Sequence, residues 1–200
     1  MISSLRSKIL PYRLFLCCGL VIMLVPLRNA VAAADQEPWI LVDTPTKTLT
    51  VLTGSEQRPN RILAKFRNVA LGRGGVTRDR VSGDGKTPLG TYHVAWIKWD
   101  SHFDIFFGLD FPTVDHADRA YQHRLIDRTT YGIILDALLN HRLPPQDTPL
   151  GGGIGIHGLG RGDPLIHRHS DWTDGCVALT NRQIAGLARW VRIGTKVVIR

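Results

Sequence analysis

The sequence predicts a mainly β single domain with a few peripheral helices. Three observations carry that prediction: short apolar runs rich in branched and aromatic residues, Gly- and Pro-rich turns between them, and helical periodicity confined to a middle stretch and one segment near the end. The 200 residues, 44% hydrophobic and 21% charged, fit one globular domain and exclude a disordered chain or two large domains. Residues 39–42 and 48–52 read as paired strands, with Thr44, Pro45, Thr46 and Lys47 as the hairpin turn. Residues 65–71 read as a third strand. A glycine-rich stretch follows (Gly72, Gly74, Gly75, Gly83, Gly85), and residues 91–99 resume a strand. The period then changes. Asp115 is expected to cap a helix through Ala117, Ala120, Tyr121 and Leu125, and Tyr131, Ile134, Leu135, Leu138 and Leu139 recur at helical spacing before Pro144, Pro145 and Pro149 end the stretch. Gly151, Gly152 and Gly153 lead into Ile154, Gly155 and Ile156, a short buried strand that delivers His157. Thr180 with Gln183 forms a capping box opening a helix through Ile184, Leu187 and Trp190, after which Gly194 breaks the chain and residues 195–199 close the sheet.

The first 34 residues stand apart. Arg6, Lys8 and Arg13 precede the apolar run 14–27, which is followed by Arg28, Asn29 and the string Ala30, Val31, Ala32, Ala33, Ala34. That order predicts a secretory signal peptide over 1–34 and a mature domain over 35–200. The apolar run is too short for a membrane anchor, which needs about 18 to 20 residues. Leu16 is too large to precede a lipid-modified Cys17. The net charge of +8 and the three cysteines must be restated accordingly. Without the segment, 25 − 4 = 21 basic residues face 17 acidic ones, for +4, and Cys176 is the one cysteine left. A lone cysteine in an exported chain is an intermolecular partner, a free reactive thiol or an inert buried residue, and its neighbours decide. Export also removes nucleic acid as the natural partner of the positive charge.

Those neighbours suggest chemistry. Nineteen positions after His157 comes Cys176, within the run Trp172, Thr173, Asp174, Gly175, Cys176 and Val177. A thiol is partly ionised even at neutral pH, and a nearby imidazole raises its reactivity. The preceding glycine permits a tight turn that aims backbone N–H groups at a developing oxyanion. Gly85, Lys86 and Thr87 resemble the end of a phosphate-binding loop, but Arg80 stands where its first glycine is required and a strand follows, which excludes nucleotide binding. His167 and His169 with His157, Asp171 and Cys176 could be gathered into a zinc site, yet no metal-ligand spacing supports one, and no metal or cofactor is expected.

With His157-Gly158, Thr173-Asp174-Gly175-Cys176-Val177 and the upstream Thr87-Pro88-Leu89-Gly90-Thr91-Tyr92, the chain resembles the catalytic domain of the L,D-transpeptidases, cysteine enzymes that remodel bacterial peptidoglycan. The resemblance runs from about Trp39 to the closing strand. Phe107 to Asp118 and the Asp171-Trp172-Thr173 lead-in are similar to a compact branch without separate wall-binding modules. The resemblance implies an L,D-transpeptidase-like β-sandwich or mixed-sheet domain in the periplasm or cell-wall space, serving cell-wall organisation and cell shape. It implies Cys176 as nucleophile, His157 as general base and acid, the Gly158 carbonyl orienting the imidazole, and the N–H groups of Gly175 and Cys176 as oxyanion donors. Stem peptides are the implied partners, attacked at the diamino acid with loss of D-alanine; Thr173, Asp174, Trp172, Arg161 and Arg168 are the implied substrate contacts. The chain is read as a monomer without nucleic-acid or metal partners.

Two departures bear on the outcome. The family's Ser-His-Gly-Cys, followed two residues later by Arg or Asn, is here Thr173-Asp174-Gly175-Cys176 followed by Ala178. Asp174 would raise the thiol pKa if it faced the sulfur. With Ala178 there, either Arg161, Arg168 or Arg182 holds a substrate carboxylate or the substrate differs. A peptidoglycan L,D-hydrolase, including one that frees a wall-tethered protein, therefore stands as an alternative outcome of the same thioester. A non-catalytic wall-binding module, favoured by the positive charge, is the second alternative.

Overall fold

The computed structural model describes residues 37–200, so the signal-peptide reading lies outside the described residues. The fold is mainly β, as expected, and is built on one eight-stranded mixed sheet. Its strands are β1 (Trp39–Asp43), β2 (Thr48–Gly54), β3 (Pro59–Arg67), β6 (Gly90–Ser101), β7 (Asp104–Leu109), β8 (Gly155–His157), β9 (Val177–Ala178) and β10 (Lys196–Ile199). A separate ribbon pairs β4 (Val76–Thr77) with β5 (Thr87–Pro88). The sheet order is β3-β2-β1-β10-β6-β7-β8-β9; only β1–β10 and β8–β9 are parallel pairs. The last strand thus enters beside the first, and the strands bearing His157 and following Cys176 lie together at one edge.

Alternation of side chains along each strand separates two cores. Ile40 and Val42 of β1 join Leu49, Val51, Tyr92, Val94, Phe107, Ile156, Val177 and Ile199 in the main core. Trp39, on the other face of β1, packs with Leu52 and Val198 in a small second cluster. The helices are α1 (Val114–Gln122), α2 (Arg128–Leu139), α3 (Pro164–His169) and α4 (Asn181–Leu187), the last continued by a 3₁₀ turn at Ala188–Trp190. Ile134 of α2 and Ile184 and Leu187 of α4 are buried in the main core. The capping box at Thr180 and Gln183 is formed as expected: the Thr180 hydroxyl accepts from the Gln183 N–H, and the Gln183 side chain accepts from the Thr180 N–H. Among the described residues, no helix is long and apolar enough to cross a membrane.

Three details differ from the sequence reading. The third strand occupies Pro59–Arg67, not 65–71, and is an edge strand with mostly exposed side chains. Ala70 instead exchanges two backbone hydrogen bonds with Ala178. The N-cap of α1 is Thr113, two residues before Asp115, which lies in the first turn where a carboxylate suits the helix dipole. Finally, β7 and α3 are elements that composition alone did not separate from their surroundings.

Candidate active site

The register of β8 and β9 pairs Ile156 with Val177 and His157 with Ala178. Ile156 and Val177 are fully buried in the core, so alternation turns the side chains of His157 and Cys176 to the opposite face together. Gly155 is demanded by the same packing: a Cβ there would lie 2.6 Å from the Phe107 carbonyl oxygen and 2.5 Å from the Phe106 ring.

His157 is only 2% exposed, and its Nδ1 lies 2.6 Å from the Gly158 carbonyl oxygen. A carbonyl only accepts, so Nδ1 carries the proton and Nε2 is left as the basic nitrogen. Three aromatic rings enclose the imidazole: Phe103 at 4.3 Å between centroids, Trp172 edge-on at 5.8 Å, and Phe106 stacked at 5.9 Å. Burial among them pushes the His157 pKa down to about 4, against the opposing pull of the Gly158 carbonyl. The Cys176 thiol donates to the Gly153 carbonyl oxygen at 3.3 Å. Desolvation of its sulfur pushes the pKa up to about 11, partly offset by a backbone hydrogen bond from Gly155 and by the positive charge of Arg80. At neutral pH the Cys176 thiol and the His157 imidazole are therefore both neutral at rest.

The loop before Cys176 is held by its own side chains and by residues 71–73. Thr173 Oγ1 donates to the Cys176 carbonyl oxygen at 2.7 Å and accepts the Gly175 N–H at 3.1 Å. The Thr173 N–H donates to the Leu71 carbonyl, and the Thr173 carbonyl accepts from the Arg73 N–H. Gly175 has a φ of 127°, a left-handed conformation that suits glycine. Its N–H is engaged with Thr173, whereas the Cys176 N–H makes no hydrogen bond to a described residue and remains the free backbone donor beside the sulfur.

The implied substrate contacts fall in different places. Thr173 is 3% exposed and its hydroxyl is committed to the loop, so it shapes the turn and presents nothing to a ligand. Asp174 is exposed and pairs with Arg73 at 2.8 Å, though its charge still pushes the Cys176 thiol pKa up. Trp172 is half-buried against His157, with its indole N–H donating to His167 Nδ1 at 3.2 Å. Arg161 and Arg168 are exposed and make no ion pair among the described residues. Arg161 lines an open cavity of about 620 Å³ with Asp100, Ser101, His102, Asp104, Gly160 and Asn181. Ala178 is fully buried between β8 and Ala70, where it offers no group to a ligand. Asp171 binds Lys47 and the Leu71 N–H, each at 2.9 Å. Among the described residues, no group of three or more His, Cys, Asp or Glu is placed to hold a metal ion. Sequence reasoning missed Phe103 and Phe106, whose only signal is the aromatic stretch that forms β7 and the turn before it, and Arg80, which has none.

Three buried histidines make the domain acid-sensitive. Burial lowers the pKa of His157 to about 4 and lowers those of His116 and His167 as well. Each binds its proton less readily when folded than when unfolded, so the stabilisation is fully present above about pH 6.5 and is lost as pH falls through the folded value. For His157 the loss between pH 6.5 and 4 is about 3 kcal/mol. Urea unfolding followed across pH 7.5 to 4 is expected to show it, with a shallower slope in His157→Gln. An identical slope in the variant would contradict the assignment.

The thiol of Cys176, with an N–H free among the described residues, and the imidazole of His157 are thus placed by neighbouring strands at one edge of the sheet. The family model of the L,D-transpeptidase catalytic domain (YkuD) matches residues 37–199. The chain belongs to that family. Among solved structures, Bd1075 of Bdellovibrio bacteriovorus is 19% identical with a TM-score of 0.52, the match covering 84% of this chain and 49% of that one. A K307A mutant of the helical cell shape determining protein Pgp2 of Campylobacter jejuni is 20% identical with a TM-score of 0.56, covering 83% and 47%. These likenesses are of fold, and the chain spans about half the length of either neighbour. No curated protein sequence matches it significantly.

Proposed function

We propose that the protein is an exported cysteine enzyme, an L,D-transpeptidase that acts on peptidoglycan stem peptides and remodels the wall. The observation that carries this reading is the β8–β9 register, which turns Cys176 and His157 to one face with Nε2 of the imidazole free. Sulfur attacks the carbonyl carbon of the diamino acid as His157 Nε2 takes the thiol proton; the oxyanion is met by the Cys176 N–H. Because both resting groups are neutral, the proton moves in concert with attack, not before it. On collapse the C–N bond to D-alanine breaks, and His157 returns the proton to the leaving amine. An acceptor amine or water then attacks the thioester and regenerates the thiol. Arg161 and Arg168 are the exposed cations available to a substrate carboxylate, and Trp172 walls the reacting carbonyl against His157. Gly158 orients the base, and Gly175 shapes the turn. Wall remodelling of this kind would bear on cell shape, the property named for the Campylobacter neighbour.

Incubation of the protein with tetrapeptide muropeptides and an amine acceptor, followed by mass spectrometry, tests the proposal. Joined stems are the expected product. Stems shortened without joining would assign the hydrolase outcome, as would amines freed from tethered substrates. No change with any substrate would leave only wall binding.

A further inference from the structure

Behind the cysteine loop lies a charged side chain that the proposed chemistry does not use. Arg80 sits in the connection between β4 and β5 and is 6% exposed. Its Nη1 donates to the Lys86 carbonyl oxygen and lies 3.3 Å from Asp84 Oδ1. Its Nε is buried with no hydrogen-bond partner among the described residues. The guanidinium carbon stands 6.0 Å from the centre of the Phe111 ring, a cation–π distance. The opposite contact is with Gly175, where an added Cβ would lie 2.3 Å from Nη1 and 2.6 Å from the Lys86 carbonyl oxygen. A buried guanidinium with an unmet donor is costly and is retained only where the fold or the function gains from it.

We infer that Arg80 is a positioning residue for Cys176: its guanidinium braces Gly175 from behind, fixes the direction of the Cys176 N–H and thiol, and supplies the fixed positive charge that favours the thiolate as it forms. Arg80 is too buried to meet a substrate, so it acts through the cysteine loop alone. The charged groups around the sulfur agree with this. Asp84 faces Arg80 and shares its acceptor capacity with the N–H groups of Val81 and Lys86. Asp174, from the cysteine loop, is paired with Arg73. Asp79, beside Arg80 in sequence, is bound by Arg119. His157, from β8, is neutral. The positive charge of Arg80 pulls the thiol pKa down, and the carboxylate of Asp174 pushes it up. A cation beside a cysteine raises its thiolate fraction and hence its nucleophilicity.

The inference rests on Cys176 being the nucleophile, but its test needs no substrate. Iodoacetamide alkylation of the full-length chain is followed at the Cys176 peptide by mass spectrometry at pH 8. Arg80→Gln keeps a donor for the Lys86 carbonyl and removes the charge; the alkylation rate is expected to fall about tenfold, the ratio of one pKa unit. Arg80→Lys keeps the charge without the planar fork and is expected to stay within about threefold of the wild type. Asp84→Asn removes the counter-charge and is expected to raise the rate. A loosened loop with no electrostatic role would expose the sulfur and speed alkylation in Arg80→Gln, which would overturn the inference, as would slowing in Asp84→Asn or a tenfold loss in Arg80→Lys. If Arg80→Gln fails to fold by near-ultraviolet circular dichroism, the signs of the other two variants decide. Alkylation that follows these signs in a protein inert toward stem peptides would sustain the inference while ending the enzymatic proposal.

Discussion

Replacing Cys176 by alanine is expected to lower turnover of stem peptides by about 10⁴-fold or more, the scale of loss when a covalent nucleophile is removed and only binding and oxyanion contacts remain. The fold should survive. Cys176 is half-buried, and its thiol donates one long hydrogen bond, to the Gly153 carbonyl, and accepts one from the Gly155 backbone, so truncation removes little packing. The backbone features that shape the loop do not involve the sulfur: the Thr173 hydroxyl bonds to the Gly175 N–H and the Cys176 carbonyl, and the Leu71 and Arg73 bonds to Thr173 persist. Thermal unfolding within a few degrees of the wild type, together with unaltered sedimentation on intact peptidoglycan, should accompany the loss of product in mass spectrometry. That combination separates an enzyme from a wall-binding module, because a module would keep its whole effect in the variant. Retention of turnover by Cys176→Ala would remove the thioester from the reaction altogether.

Local signals, joined by the family resemblance, are what singled out His157 and Cys176 in the sequence. His157 follows a short apolar run, Cys176 follows a glycine, and a short parallel pairing needs only that those two segments meet. The hairpin of β1 and β2, the long β6, the closing β10 and the capping box of α4 were legible for the same reason: each writes its period or its cap into neighbouring residues. The β3 reading was displaced because an edge strand with exposed side chains shows no inward face. Val69, Ala70 and Leu71, which drew the strand toward them, are buried for another purpose, bracing Ala178 and the Thr173 loop. Helix α3 has six residues, and only His167 is buried, too few to show a helical stripe. The aromatic walls of His157 come from the turn before β7, from β7 itself and from residue 172, and Arg80 reaches Gly175 across 95 positions. Side chains brought together over such distances leave no spacing to read, and tertiary packing alone assembles them.

His157→Gln is expected to reduce kcat by about 10² to 10⁴-fold with a small change in KM, the usual range for loss of a general base. Its more specific consequence lies in the pH profile. The Gly158 carbonyl holds the proton on Nδ1, and the aromatic walls exclude water, so the wild-type imidazole stays neutral down to about pH 4 while the thiol stays protonated up to about 11. Between those values one neutral acid and one neutral base coexist, and the wild-type rate should be nearly level with pH, falling on the acid side as His157 takes up its proton. Without the imidazole, sulfur can attack only as a thiolate already formed in solution equilibrium. The variant's rate should then climb about tenfold per pH unit from pH 6 toward 9, because each unit multiplies the thiolate fraction by ten below the thiol pKa. A stable thiolate–imidazolium pair, the contrary arrangement, would show itself as rapid wild-type alkylation at pH 6 that the variant loses. A variant profile as level as the wild type would mean that some other group removes the proton. Arg161 and Arg168 carry no lone pair to do so, and Asp174 is paired with Arg73, so such a result would count directly against His157 as the proposed base.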